Sequence, residues 1–96
     1  MDMEDNKTII DNTATLLIEN GFERLPEQAS RLRFEREYAD GTGRKFAVEL
    51  AENEAGLFVA FHFDKKPLFS WTKVKSTNEV KELLLDKGLR LKQPQN

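Results

Sequence analysis

Between Ser30 and Val74 the apolar residues fall on alternate positions, and on either side of that stretch they recur every third or fourth residue. The pattern predicts a helix, a run of strands and a second helix. The first helix is expected over about Asn6–Asn20, with Ile10, Ala14, Leu17 and Ile18 as its apolar stripe and Ile9 beside it. Asp5 or Asn6 can cap its free amides, and Gly21 supplies a left-handed stop that lets Phe22 fold back on the stripe. Arg24 to Ala29 reads as a turn around Pro26.

From Ser30 the period becomes two, with Leu32, Phe34 and Tyr38 on one face and Arg31, Arg33, Glu35 and Glu37 on the other. Asp40-Gly41-Thr42-Gly43 is a hairpin signal, because glycine adopts positive φ without steric cost. The next strand places Phe46, Val48 and Leu50 opposite Lys45, Ala47 and Glu49. After a turn at Glu52–Gly56, Leu57 to Phe63 is apolar on both sides: Leu57, Val59, Phe61 and Phe63 on the core face, Phe58, Ala60 and His62 on the other. Asp64 to Pro67 turns the chain into Leu68–Val74, assigned Phe69 and Trp71 on one face and Leu68 and Val74 on the other, with the register left open. Ser76 and Glu79 have capping-box spacing ahead of a helix reaching about Lys87, with the stripe Val80, Leu83 and Leu84. Gly88 stops that helix and Leu89 packs back on it.

The expected fold is α+β, in the order α-β-β-β-β-α, with a four-stranded antiparallel meander and both helices on one face. A three-stranded variant is the alternative. Residues 1–96 are expected to form a single domain with an ordered core of about 6–90 and loose tails at 1–5 and 91–96.

Composition changes the picture mainly by exclusion. A net charge of −2, from 15 basic and 17 acidic residues, gives no global attraction to nucleic acid or anionic membrane. The chain has no cysteine, which removes disulfide, thiol and zinc–thiolate chemistry. The acidic start, Met1-Asp2-Met3-Glu4-Asp5, lacks the features of a secretory signal, and no apolar run is long enough to cross a bilayer. A cytoplasmic location without membrane association is expected.

Candidate chemistry is sparse. His62 and Ser70 are on adjacent predicted strands, but no orienting group or oxyanion hole is apparent, so no enzyme activity is expected. Glu35, Glu37 and Glu49 share a face with Arg31, Arg33 and Lys45, which points to a cross-strand salt-bridge ladder and not a metal site. The acidic residues Asp2, Glu4 and Asp5 read as solvated. The Asp40–Gly43 loop lacks the spacing and following helix of a nucleotide loop. No cofactor or metal is expected. Lys65, Lys66, Lys73 and Lys75 form a second basic cluster, read as edge lysines that block aggregation.

The sharpest candidate is a surface. Phe58, His62 and Trp71 are expected on the helix-free sheet face, bordered by Arg31, Arg33 and Lys45. Such a surface suits a protein partner, a second copy of the chain, or single-stranded RNA held by stacking and phosphate contacts. The alternative is that Trp71 turns inward and completes the core.

The helix–sheet–helix order is similar to the double-stranded RNA-binding fold and to the small toxin family that shares it. Gly21-Phe22 matches the end of the first helix in those toxins, but Ala29-Ser30-Arg31 stands where they carry a catalytic Gly-Ser-His. A likeness of topology does not carry function. The leading expectation is a non-catalytic protein-binding module of the inhibitor, immunity, adaptor or chaperone kind, acting through the helix-free face or by dimerisation. The alternative is a nucleic-acid-binding domain with a double-stranded-RNA-binding-like topology.

Overall fold

The computed structural model describes residues 4–39 and 41–91. The alternating segments form one antiparallel sheet because each hairpin turn returns the chain alongside itself. In chain order the elements are α1 (Asn6–Glu19), β1 (Glu23–Arg24), β2 (Arg31–Glu37), β3 (Lys45–Asn53), β4 (Gly56–Phe63), β5 (Lys66–Val74) and α2 (Thr77–Asp86). The strand order is β1-β2-β3-β4-β5, a pure meander of five strands where four were expected. The extra strand is the two-residue β1, which pairs Glu23 with Glu35 and Arg24 with Phe34 and overlaps the segment read as a turn at Arg24. A two-residue strand has no periodicity to detect.

Both helices cover one face. Ile9, Leu17, Val80 and Leu84 meet Phe34, Val48, Leu50, Leu57, Val59 and Phe61 in a single buried cluster. Each helix is closed at its ends as the local sequence demands. The Thr8 N–H donates to Asp5 Oδ1 at 2.7 Å and the Glu79 N–H to Ser76 Oγ at 3.1 Å, so each cap satisfies an amide that the helix leaves free. Glu79 reaches back one residue further than a standard capping box and accepts from the Lys75 N–H at 3.0 Å. Gly21 and Gly88 both have positive φ, and the Phe22 and Leu89 N–H groups donate to Leu17 O and Leu84 O.

Four details differ from the expectation. The buried positions of α1 are Ile9, Thr13, Ala14 and Leu17, while Ile18 is 52 % exposed. The helix seats along the i, i+4, i+8 row Ile9–Thr13–Leu17, which turns Ile18 outward. Glu4 is not simply solvated: it accepts from the Thr77 N–H at 2.8 Å and the Thr77 hydroxyl at 2.7 Å, while Asp5 takes the expected capping role on α1. Leu91 belongs to the buried cluster, so the core extends beyond residue 90. Residues 1–3 and 92–96, assigned to the tails, lie outside the described residues, as does Asp40.

The fourth difference is in β5. Val59 pairs with Thr72, Phe61 with Phe69, and His62 with Pro67. The steps from 72 to 69 and from 69 to 67 each use one residue more than the matching steps on β4, so β5 carries two irregularities. A regular strand would put Phe69 and Trp71 on the same face. One extra residue flips the side-chain parity. Phe69 therefore packs against the core side, 5.9 Å from Phe61 between ring centroids, and Trp71 is left on the opposite face.

Candidate functional site

The helix-free face is defined by the residues that alternate with the core. Register sets them in rows across the strands: Arg31–Ala51–Phe58–Lys73, then Arg33–Glu49–Ala60, then Glu35–Ala47–His62–Pro67, then Glu37–Lys45. Trp71, two residues before Lys73, is the diagonal neighbour of Phe58 on this face. Trp71 is 38 % exposed, so it does not complete the core. Its ring carries the Arg31 guanidinium at 5.3 Å from the centroid. Arg31 and Trp71 start three strands apart, and they meet because alanines stand between them. Ala60 is 1 % exposed although neither α1 nor α2 lies on this side; the long side chains around it form the cover.

The remaining candidates fall into a separate group. Arg33 Nε donates to Glu35 Oε2 at 2.8 Å and its Nη1 lies 3.2 Å from Glu49 Oε2. Lys45 Nζ lies 3.6 Å from Glu35 Oε1. The hydrogen bond to Glu35 and the two carboxylate charges hold the Arg33 guanidinium more firmly protonated than usual, against the opposing effect of partial burial. This is the expected ladder in part, with Arg33 as its centre and both Arg31 and Glu37 outside the ion pairs among the described residues. Each such surface pair contributes on the order of 0.2–1 kcal/mol.

His62 sits at the edge of the ladder. Its Nδ1 is buried, finds no hydrogen-bond partner among the described residues and lies 3.9 Å from Glu49 Oε1, a near approach and not a bond. The residue facing it on β5 is Pro67, whereas Ser70 falls within the first irregularity. Register therefore does not present Ser70 to His62 as a cross-strand pair.

The structure thus brings Arg31, Phe58 and Trp71 together at one end of the face. It places Arg33 and His62 in the middle, beside Glu49, and Lys45 at the far end with Glu35 and Glu37. One residue was missed. Lys73, read as an edge lysine, stands directly across from Phe58. Its stem lies over Gly56, where an added Cβ would come within 2.8 Å of Lys73 Cε. The signal was the alternation of Trp71 and Lys73, hidden by the open register of that strand. Beside Arg31, a recess of about 270 Å³ is walled by Leu25, Pro26, Ala29, Arg33 and Glu49. Among the described residues no cluster of three or more histidine and carboxylate side chains is arranged to hold a metal ion, and no helix is long and apolar enough to cross a membrane.

No protein-family model, curated protein or solved structure matches this chain.

Proposed function

We propose that this chain is a non-catalytic protein-binding module that engages its partner through the helix-free face of the sheet. The observation that carries this reading is the Arg31–Trp71 pair, an arginine in cation–π contact with a 38 % exposed tryptophan that has Phe58 as its diagonal neighbour. Tryptophan and arginine are the side chains that most often dominate binding energy at protein interfaces.

The sheet edges support the face over strand addition. At one edge β1 is two residues long. At the other, β5 carries Pro67, two irregularities and the lysines Lys66 and Lys73. Short strands, proline, bulges and lysine all discourage pairing with a further strand. Charge supports a protein over a nucleic acid. Glu35 and Glu49 already engage Arg33 and Lys45, so a phosphate chain crossing the face would meet carboxylates in its middle.

The test is retention of partners from the native host by the wild-type chain and by Trp71→Ala with Phe58→Ala. The wild type is expected to retain a partner, or a second copy of itself, that the double variant loses by more than tenfold in affinity, with circular dichroism unchanged. Identical retention by both proteins would overturn the reading. A steep loss of binding with added salt, together with retained oligonucleotide, would favour nucleic acid instead.

A further inference from the structure

Resting on that reading, we infer that the recognising part of the face is its Arg31–Lys73 end, and that the partner presents an extended acidic segment with an apolar side chain between two carboxylates. The argument is one of charge complementarity. Arg31 and Lys73 close the two ends of a single cross-strand row, Arg31–Ala51–Phe58–Lys73. Both are exposed, and among the described residues neither joins an ion pair, whereas Arg33 and Lys45 on the same face are paired. Two uncompensated cations therefore flank two aromatic rings.

Both cations are held in place. The Arg31 guanidinium lies over the Trp71 ring at 5.3 Å from its centroid, a cation–π contact that uses none of its N–H donors in an ion pair. The glycine at position 56 lets the Lys73 stem lie flat, with its ammonium over Gly56 on the strand that carries Phe58. The Cα atoms at the ends of the row are about 14 Å apart, three strand spacings. In an extended peptide, residues i and i+4 lie on one side about 13 Å apart, with i+2 between them. A segment with carboxylates at i and i+4 and an apolar residue at i+2 spans the row, and its flexible acidic side chains can turn inward to the Arg31 guanidinium over Trp71 and to Lys73, with the apolar side chain set toward the rings. A phosphate chain matches less well, because its charge continues onto the rows that hold Glu35 and Glu49.

The single tryptophan provides the readout. Trp71 emission is to be followed at low ionic strength with the capped peptide Glu-Thr-Leu-Thr-Glu, its counterpart Lys-Thr-Leu-Thr-Lys, and a short oligothymidylate. The glutamate peptide is expected to give a saturable change, and the other two none. Arg31→Glu with Lys73→Glu should weaken the glutamate peptide by roughly tenfold or more, while Lys45→Glu at the far end leaves it unchanged. If the reversal lowers Tm, Arg31→Gln with Lys73→Gln takes its place. No saturable change at roughly millimolar glutamate peptide, equal binding of the oligothymidylate, or equal binding by the reversed variant would each overturn the inference. A native partner that depends on Trp71 and Phe58 but tolerates the reversal would overturn the acidic segment alone and leave the protein-binding reading standing.

Discussion

Thr13 is fully buried on the core side of α1, and its hydroxyl finds no hydrogen-bond partner among the described residues. A buried, unsatisfied hydroxyl costs about 1–3 kcal/mol, and valine has nearly the same shape without it. Thr13→Val is expected to raise stability by about 1 kcal/mol, read as an increased urea midpoint at constant slope. An unchanged or lowered midpoint would mean that the hydroxyl is satisfied. Thr13 also shows where single residues were illegible. Ile18 has the greater hydrophobicity, and the sequence placed it in the stripe, but the docking angle of α1 turned Thr13 inward. Trp71 was illegible in the same way. Its composition marked it as an anchor, while its face depended on where β5 takes in extra residues.

At the scale of elements, two hairpins are closed by residues that fit them poorly. Ala29-Ser30 joins Gln28 to Arg31 with φ of 49° and 62°, and Asp64-Lys65 joins β4 to β5 with φ of 53° and 66°. Two consecutive positive φ values are the signature of the type I′ turn, which prefers Asn-Gly or Asp-Gly. An L-residue other than Asn or Asp in this conformation costs about 1–2 kcal/mol, part of which a glycine loses again through the greater freedom of the unfolded chain. Lys65→Gly is therefore expected to stabilise the protein by about 0.5–1 kcal/mol, as is Ser30→Gly, measured by thermal melting. A lower Tm in either variant would show that the side chain makes a contact that outweighs its strain. These turns were legible as turns, and Asp64 announced one of them. Their type was not, because neither contains glycine. The caps behaved oppositely. Asp5, Gly21, Ser76 and Gly88 act where the sequence put them, since a cap involves only neighbours in the chain.

The whole molecule is tied together at its beginning by Glu4, whose carboxylate binds the first turn of α2 through Thr77 and also accepts from Asn12 of α1 at 3.1 Å. Hydrogen bonds from Thr77 hold the Glu4 carboxyl below the usual glutamate value, and those from Thr8 do the same for Asp5. Both groups bind protons more weakly when folded. Their contribution is therefore complete above the unfolded value and is lost as pH falls through the folded one. Stability is expected to decline below about pH 4. Glu4→Gln should lower the stability at neutral pH and flatten that decline, as read from urea midpoints across a pH series. An identical pH profile in the variant would rule out the clasp. Nothing in the sequence linked Glu4 to Thr77, which is 73 positions away. The sequence by itself determined what depends on near neighbours: which segments are helix or strand, the two-residue β1 excepted, where the helices are capped, and which side of β2, β3 and β4 faces the core. The period of the hydrophobic pattern is a local property of the chain. Tertiary structure alone decided the rotation of α1, the parity of β5 and the grouping of Arg31, Phe58, Trp71 and Lys73, because each depends on how distant segments pair and pack. The candidate surface was thus legible as a face with an aromatic centre. The end proposed for recognition was not, since register, which no single strand encodes, selects which cations stand near the rings.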